Sequence, residues 1–236
     1  MSRILIAAAL LIATAATATA TTAHAATREW QPLRFDRVAL AGSYTVTVVP
    51  GAVASVRAEG DPEALERIEV RVEDGQLRLG SRRDSWNWGW SRHGRVRMTV
   101  VSPVPLRAAA LAGSGDMTIA RVSVPSFEAK LAGSGDLVLR QVDVREIAAH
   151  ITGSGDLTAS GHAEHVEGSI AGSGDLHLGD LHAADFTGSI SGSGDIAAFA
   201  SRTATLSIVG SGDARVRGGA RCTVSKRGSG SAICTA

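Results

Sequence analysis

The sequence predicts an all-β protein, a parallel β-helix or β-solenoid with coils of about 20 residues, preceded by an irregular β region that holds one short helix. Three observations carry this expectation. First, the tetrapeptide Gly-Ser-Gly-Asp begins at Gly113, Gly133, Gly153, Gly172, Gly192 and Gly210, and a degenerate seventh copy at Gly228 ends in Ser231. The intervals are 20, 20, 19, 20, 18 and 18 residues. Second, alignment on this corner yields two apolar columns. One holds Leu111, Leu131, Ile151, Ile170, Ile190 and Ile208, and the other Met117, Leu137, Leu157, Leu176, Ile196 and Ala214. Third, polarity alternates beside the first column, where Lys130, His150, Ser169, Ser189 and Ser207 stand one step away. That is the period of a strand with one buried face.

Residues 1–25 have the pattern of a cleavable export signal: Arg3, an apolar core from Ile4 to Ala13, a small-residue stretch, and Ala23-His24-Ala25 before the expected cut. The apolar core is short for a membrane span, and no second stretch of spanning length follows, so no transmembrane segment is expected in the mature chain. Residues 26–106 are expected as an N-terminal β region that continues or caps the solenoid. Tyr44 to Val49, Val53 to Ala58, Ile68 to Val72, Gln76 to Leu79 and Val96 to Val101 read as strands. Asp61 followed by Pro62 reads as an N-cap and first helical position. Glu73-Asp74-Gly75 is a hairpin signal.

Residues 107–236 are the expected solenoid. A single coil cannot fold alone, because a few aliphatic side chains at ~1.5–3 kcal/mol each do not offset ~1–2 kcal/mol of backbone entropy per ordered residue. Stacking supplies contacts from both sides. Whether each coil has two faces or three is open: Val122, Val124, Val142 and Val144 suggest a third strand. In the corner itself, both glycines are expected to use positive φ. The pairs are Gly113 and Gly115, Gly133 and Gly135, Gly153 and Gly155, Gly172 and Gly174, Gly192 and Gly194, and Gly210 and Gly212. Stacking also sets Asp116, Asp136, Asp156, Asp175, Asp195 and Asp213 in one column. Carboxylates ~5 Å apart repel by about 1 kcal/mol in water, so each is expected to accept amide hydrogens from its own corner or the next, with a column of bound cations as the alternative. At the C-terminal end Lys226 replaces the inward apolar residue. Cys222 and Cys234 fall on inward columns of the final coil, where a disulfide would staple it.

Phe35-Asp36-Arg37-Val38, Gly42-Ser43-Tyr44-Thr45-Val46-Thr47-Val48 and Val72-Glu73-Asp74-Gly75-Gln76-Leu77, followed by the repeated corners, resemble the bacterial head GIN domain family of putative autotransporter adhesins. The resemblance spans essentially the whole mature chain. It implies an exported β-helical protein with an adhesive or envelope role and brings no catalytic residues with it; the expected location is periplasmic, secreted or at the cell surface. The chain shows no C-terminal barrel-forming pattern, so translocation by its own barrel is not expected.

Among groups that could act, Trp86, Trp88 and Trp90 stand out, in Ser-Trp-Asn-Trp-Gly-Trp-Ser, with Arg92 and further basic residues beside them. Tryptophan and arginine dominate interaction hot spots, so these four are the candidate contacts for an envelope glycan or a protein partner. The structural alternative has the tryptophans covering the apolar end of the solenoid. His162, His165, His177 and His182, with Asp180 and Asp185, lie on adjacent coils, but their spacing is not a zinc signature. No cofactor motif is present. A formal net charge of +1 points to neither nucleic acid nor an anionic membrane. The expected function is therefore a non-enzymatic binding or scaffold module. A polysaccharide-acting β-helix enzyme and a Ca²⁺-stabilised repeat protein are the rivals, and the oligomeric state is left open.

Overall fold

A computed structural model of the chain describes residues 26–82 and 96–236. In chain order the first elements are β1 (Ala26–Trp30), β2 (Arg37–Gly42), β3 (Thr45–Pro50), β4 (Ser55–Gly60), α1 (Pro62–Glu66), β5 (Ile68–Glu73), β6 (Gln76–Ser81) and β7 (Arg97–Ser102). The repeats follow as β8 (Ala108–Gly113), β9 (Asp116–Ile119), β10 (Val122–Gly133), β11 (Leu137–Gly153), β12 (Leu157–Gly172), β13 (Leu176–Gly192), β14 (Ile196–Gly210), β15 (Ala214–Arg217), β16 (Arg221–Gly228) and β17 (Ala232–Cys234). From β8 onward each coil pairs in parallel with the next, as in Leu131 with Ile151, Ile151 with Ile170 and Ile170 with Ile190. This is the expected β-solenoid.

The coil has three faces, which settles the question that the valines raised. In β11 the buried residues are Leu137 and Leu139, then Val142 and Val144, then Ile147, Ala149 and Ile151. The alternation slips by one residue at Arg140-Gln141 and again at Arg145-Glu146, where consecutive side chains are exposed. Each slip turns the chain through a corner while keeping apolar residues inside. Gln141 sits there at φ 48°, and Gly161 of β12, in register with the following Val142, has φ 134°.

The corners stack directly on one another, and the two glycines have different reasons to be there. Gly133 has φ 134°, a conformation that L side chains rarely adopt. Gly135 is absent from the positive-φ residues, so the expectation that both glycines use positive φ holds only for the first. The second is fixed by close approach: a Cβ on Gly135 would lie 1.8 Å from the carbonyl oxygen of Gly115. The backbone closes the contact, with Ser154 N–H donating to Gly133 O (2.8 Å) and Ser173 N–H to Gly153 O (2.8 Å).

The aspartates form a ladder. The Asp175 N–H donates to Asp156 Oδ1 (2.9 Å), Asp195 N–H to Asp175 Oδ1 (2.8 Å), Asp213 N–H to Asp195 Oδ1 (2.8 Å) and Ser231 N–H to Asp213 Oδ1 (2.8 Å). From Asp156 to Asp213 amide dipoles thus offset the carboxylate repulsion, and each of these four carboxylates serves the following coil. At Asp213 the Ser231 backbone N–H and then the Ser231 side chain hold the carboxyl below its ordinary value against an opposing cost of desolvation, with the charges of Arg215 and Lys226 adding to the lowering. Because the folded value is depressed, its stabilising effect is present above an unfolded pKa of ~3.9 and is lost as pH falls through the lower folded value. Thermal melts at pH 6 and pH 2.5 should therefore show a larger loss for wild type than for Asp213→Asn.

The N-terminal region joins the same stack in a different order. β2 pairs in parallel with β8 on one side and β6 on the other, while β3 pairs with β9 and β7. Gly42-Ser43-Tyr44 is therefore the first corner: Gly42 aligns with Gly113, and Gly115 N–H donates to Gly42 O (2.9 Å). The sequence disguises it, because Tyr44 stands at the second-glycine position. The rung made by β6 and β7, later in the chain, lies outside the rung made by β2 and β3. β5 on β6, β4 on β7 and β1 on β4 then pair antiparallel and cover that end. The helix and hairpin form as expected: the Asp61 carboxylate accepts from Glu63 N–H (2.9 Å), and Asp74 and Gly75 both have positive φ, as a two-residue hairpin turn requires.

At the other end Cys222 and Cys234 are joined in a disulfide. They stand in register with the buried Ala204 and Val216, so the bridge spans two faces across the open end of the interior. Closing a loop of this size contributes about 3 kcal/mol in the chain-entropy account. Lys226 takes the place of Ile208 and is exposed.

Candidate functional site

The third face carries the densest group of reactive side chains. Its inward positions are Val122 and Val124, Val142 and Val144, then Ala163, Leu181, Ala183 and Ala200, which hold the sheet on the core. The residue between them points outward, and register aligns Ser123, Asp143, His162, His182 and Phe199 in one row. His162 and His182 are stacked, with centroids 5.6 Å apart and an interplanar angle of 28°. His182 meets Phe199 edge-on at 4.6 Å. Asp143, Arg145, Glu164 and the two histidines border an open depression of about 550 Å³.

Around the next corner His165, Asp185 and Arg202 form a second group. The Asp185 carboxylate accepts from Arg202 Nε (2.9 Å), from Arg202 Nη2 and from Thr203 Oγ1 (2.7 Å), and lies 2.9 Å from His165 Nδ1. Hydrogen bonds from Arg202 and then Thr203 hold its carboxyl far below the ordinary range, with the nearby charges of Arg202 and His165 adding to them against the desolvation cost; the same pairing raises Arg202. A carboxylate so fully engaged is a structural anchor between coils and a poor base at neutral pH.

All four histidines are exposed on the surface, and they do not form one group. His162 and His182 come together, His165 turns to Asp185, and His177 lies on another face in register with Thr158 and Ala197. Among the described residues no three histidine, cysteine, aspartate or glutamate side chains converge as a metal site needs. Phe199, Arg202 and Thr203 complete these groups, and sequence reading missed them because the coil shortens by two residues there, so only the pairing of Phe186 with Ala204 and Ile190 with Ile208 reveals the register. In the stack His162 and His182 each turn one ring face to the other, so those two faces are closed to a sugar ring. Asp143 and Glu164 are exposed on an open surface, not set in an apolar wall of the kind that separates general acid from base in glycoside hydrolysis.

Trp86, Trp88, Trp90 and Arg92 lie outside the described residues, as does the expected export signal at 1–25. What the structure places is the two ends of the intervening chain. Ser81 ends β6 and Arg97 begins β7, and these strands flank the Gly42-Ser43-Tyr44 corner on the adjacent rung. Tyr44 Oη and Ser81 Oγ are 2.5 Å apart at that point. In register Ser81 falls at the Gly42 position and Arg97 at the Thr45 position, and segment 83–95 lies between them in the chain.

Fold and corner geometry define a parallel β-solenoid with stacked glycine corners. The chain belongs to the family described as "Putative auto-transporter adhesin, head GIN domain", which matches residues 34–220. Among solved structures it is similar to a putative adhesin from Bacteroides fragilis NCTC 9343, at a TM-score of 0.82 and 20% identity over 91% of this chain and 98% of that one. It is also similar to a putative lipid binding protein from Parabacteroides distasonis ATCC 8503, at 0.72 and 20% over 91% and 97%. A putative adhesin from Parabacteroides merdae ATCC 43184 matches at 0.70 and 15% over 91% and 97%. At these identities the likeness is one of fold. No curated protein matches the sequence.

Proposed function

We propose that the protein is an exported, non-enzymatic binding module of the bacterial cell envelope, in which Trp86, Trp88, Trp90 and Arg92 contact an envelope glycan or protein. The observation that carries this reading is the position of segment 83–95: it enters and leaves the solenoid where a corner would otherwise stand, on a rung whose β-strands are already paired on both sides. A tryptophan-rich insertion there joins two strand ends that are each paired on both sides. Family membership supports an adhesive role, and the disulfide fits an oxidising, extracytoplasmic setting. The saturated Asp185 and the exposed, unwalled Asp143 and Glu164 favour binding over catalysis.

Changing Trp86, Trp88 and Trp90 to alanine should leave the far-UV circular dichroism and melting temperature near wild type while reducing retention of purified protein on envelope fractions by tenfold or more, the scale of losing clustered hot-spot residues. Equal retention of the triple variant would overturn the assignment.

A further inference from the structure

The third face begins with an uncovered edge. Residues Val122–Val124 of β10 pair with β11, whereas pairing of β10 with β8 starts only at Glu128, so among the described residues no strand lies on their N-terminal side. The chain between β7 and β8 passes this gap and includes Pro103 and Pro105, which bring no amide hydrogens. Two hydrogen bonds fix its start: Gly51 N–H donates to Ser102 O (3.0 Å), and the buried Ser102 Oγ donates to Val104 O (2.7 Å).

Between this segment and the ends of β3 and β9 lies a cleft of about 260 Å³. Val48, Leu106 and Ile119, each at most 3% exposed, form its base, and the exposed Arg121 and Ser123 stand at its rim. Arg121 is the one charged residue of the lining, and among the described residues its guanidinium has no hydrogen bond or ion pair. The volume is below the ~300–1,000 Å³ of a drug-sized pocket, so one short chain or ring fills it. Addition of a peptide strand is disfavoured: the bare edge is three residues long and Pro125 closes it.

We infer that this cleft binds a small monocarboxylate, its apolar chain or ring lying against Val48, Leu106 and Ile119 and its carboxylate pairing with the Arg121 guanidinium. Apolar walls select for the chain, and a single cation with no acidic residue in the lining selects for the anionic head. The site is independent of the tryptophan segment, so neither reading depends on the other.

The test is a titration of the full chain, ¹³C-labelled at its methyl groups, with hexanoate, hexan-1-ol and hexylamine at neutral pH. Hexanoate should shift the methyl resonances of Val48, Leu106 and Ile119 saturably, hexan-1-ol should bind about tenfold more weakly, and hexylammonium more weakly still. Arg121→Gln, at an exposed position, should keep the wild-type spectrum and lower hexanoate affinity about tenfold, to that of the alcohol. Absence of saturable shifts at these methyls, equal affinity for acid and alcohol, or unchanged hexanoate binding by Arg121→Gln would overturn the inference.

Discussion

Gly135→Ala is expected to abolish stable folding of the solenoid, with a loss of at least ~4 kcal/mol, in the range reserved for severe steric and core defects. The new Cβ would sit 1.8 Å from Gly115 O, 2.9 Å from its carbonyl carbon and 3.1 Å from its nitrogen, all backbone atoms of the neighbouring rung. Relief requires the rungs to separate, and separation breaks the amide bonds on either side, such as Ser134 N–H to Gly113 O at 2.9 Å. Ser134→Ala, one residue away and exposed, is the control and should stay within ~0.5 kcal/mol of wild type. Urea denaturation of the three proteins measures both values. A Gly135→Ala variant as stable as the control would mean that adjacent corners do not approach as described.

Leu176→Asn should cost ~4 kcal/mol, while His177→Asn should cost less than ~0.5 kcal/mol. Leu176 is fully buried, stacked between Leu157 and Ile196, so the substitution loses an aliphatic side chain, at ~2–5 kcal/mol for truncation in a core, and leaves an amide without partners at ~1–3 kcal/mol. His177, next in sequence, points outward and is exposed. Equal thermal shifts for the two would contradict the inward and outward assignment of this strand.

The repeat region was legible because its physics is local and periodic. Ile151, Ile170 and Ile190 lie two residues before a glycine that must adopt positive φ, so one alignment fixed both column and corner. Cys222 and Cys234 were readable for the same reason, by extending the columns into the last coil. The N-terminal rungs were harder. Tyr44 masks the corner at Gly42-Ser43, and nothing in a linear reading shows that β6 and β7 lie outside β2 and β3. That ordering is a long-range fact, enforced by pairings such as Leu40 with both Leu79 and Leu111. The third-face cluster shows the same limit. His162 and His182 are 20 residues apart and could be aligned by period, but Phe199 joins them only because the intervening coil is shorter. The cleft at Arg121 left no sequence signal, since it arises where a strand is missing from the stack.

The account stands on corners that lie directly above one another, and paired cysteines test this most directly. Equivalent residues of adjacent parallel strands are ~4.8 Å apart, inside the ~4.4–6.8 Å that a disulfide tolerates between Cα atoms, whereas residues two rungs apart are beyond ~7 Å. In the chain with Cys222 and Cys234 intact, Ser154→Cys with Ser173→Cys should oxidise to a crosslink that mass spectrometry of the digested protein detects, and Ser154→Cys with Ser193→Cys should remain reduced. Crosslinking of the second pair in place of the first would contradict the stacked corner and the interior built upon it.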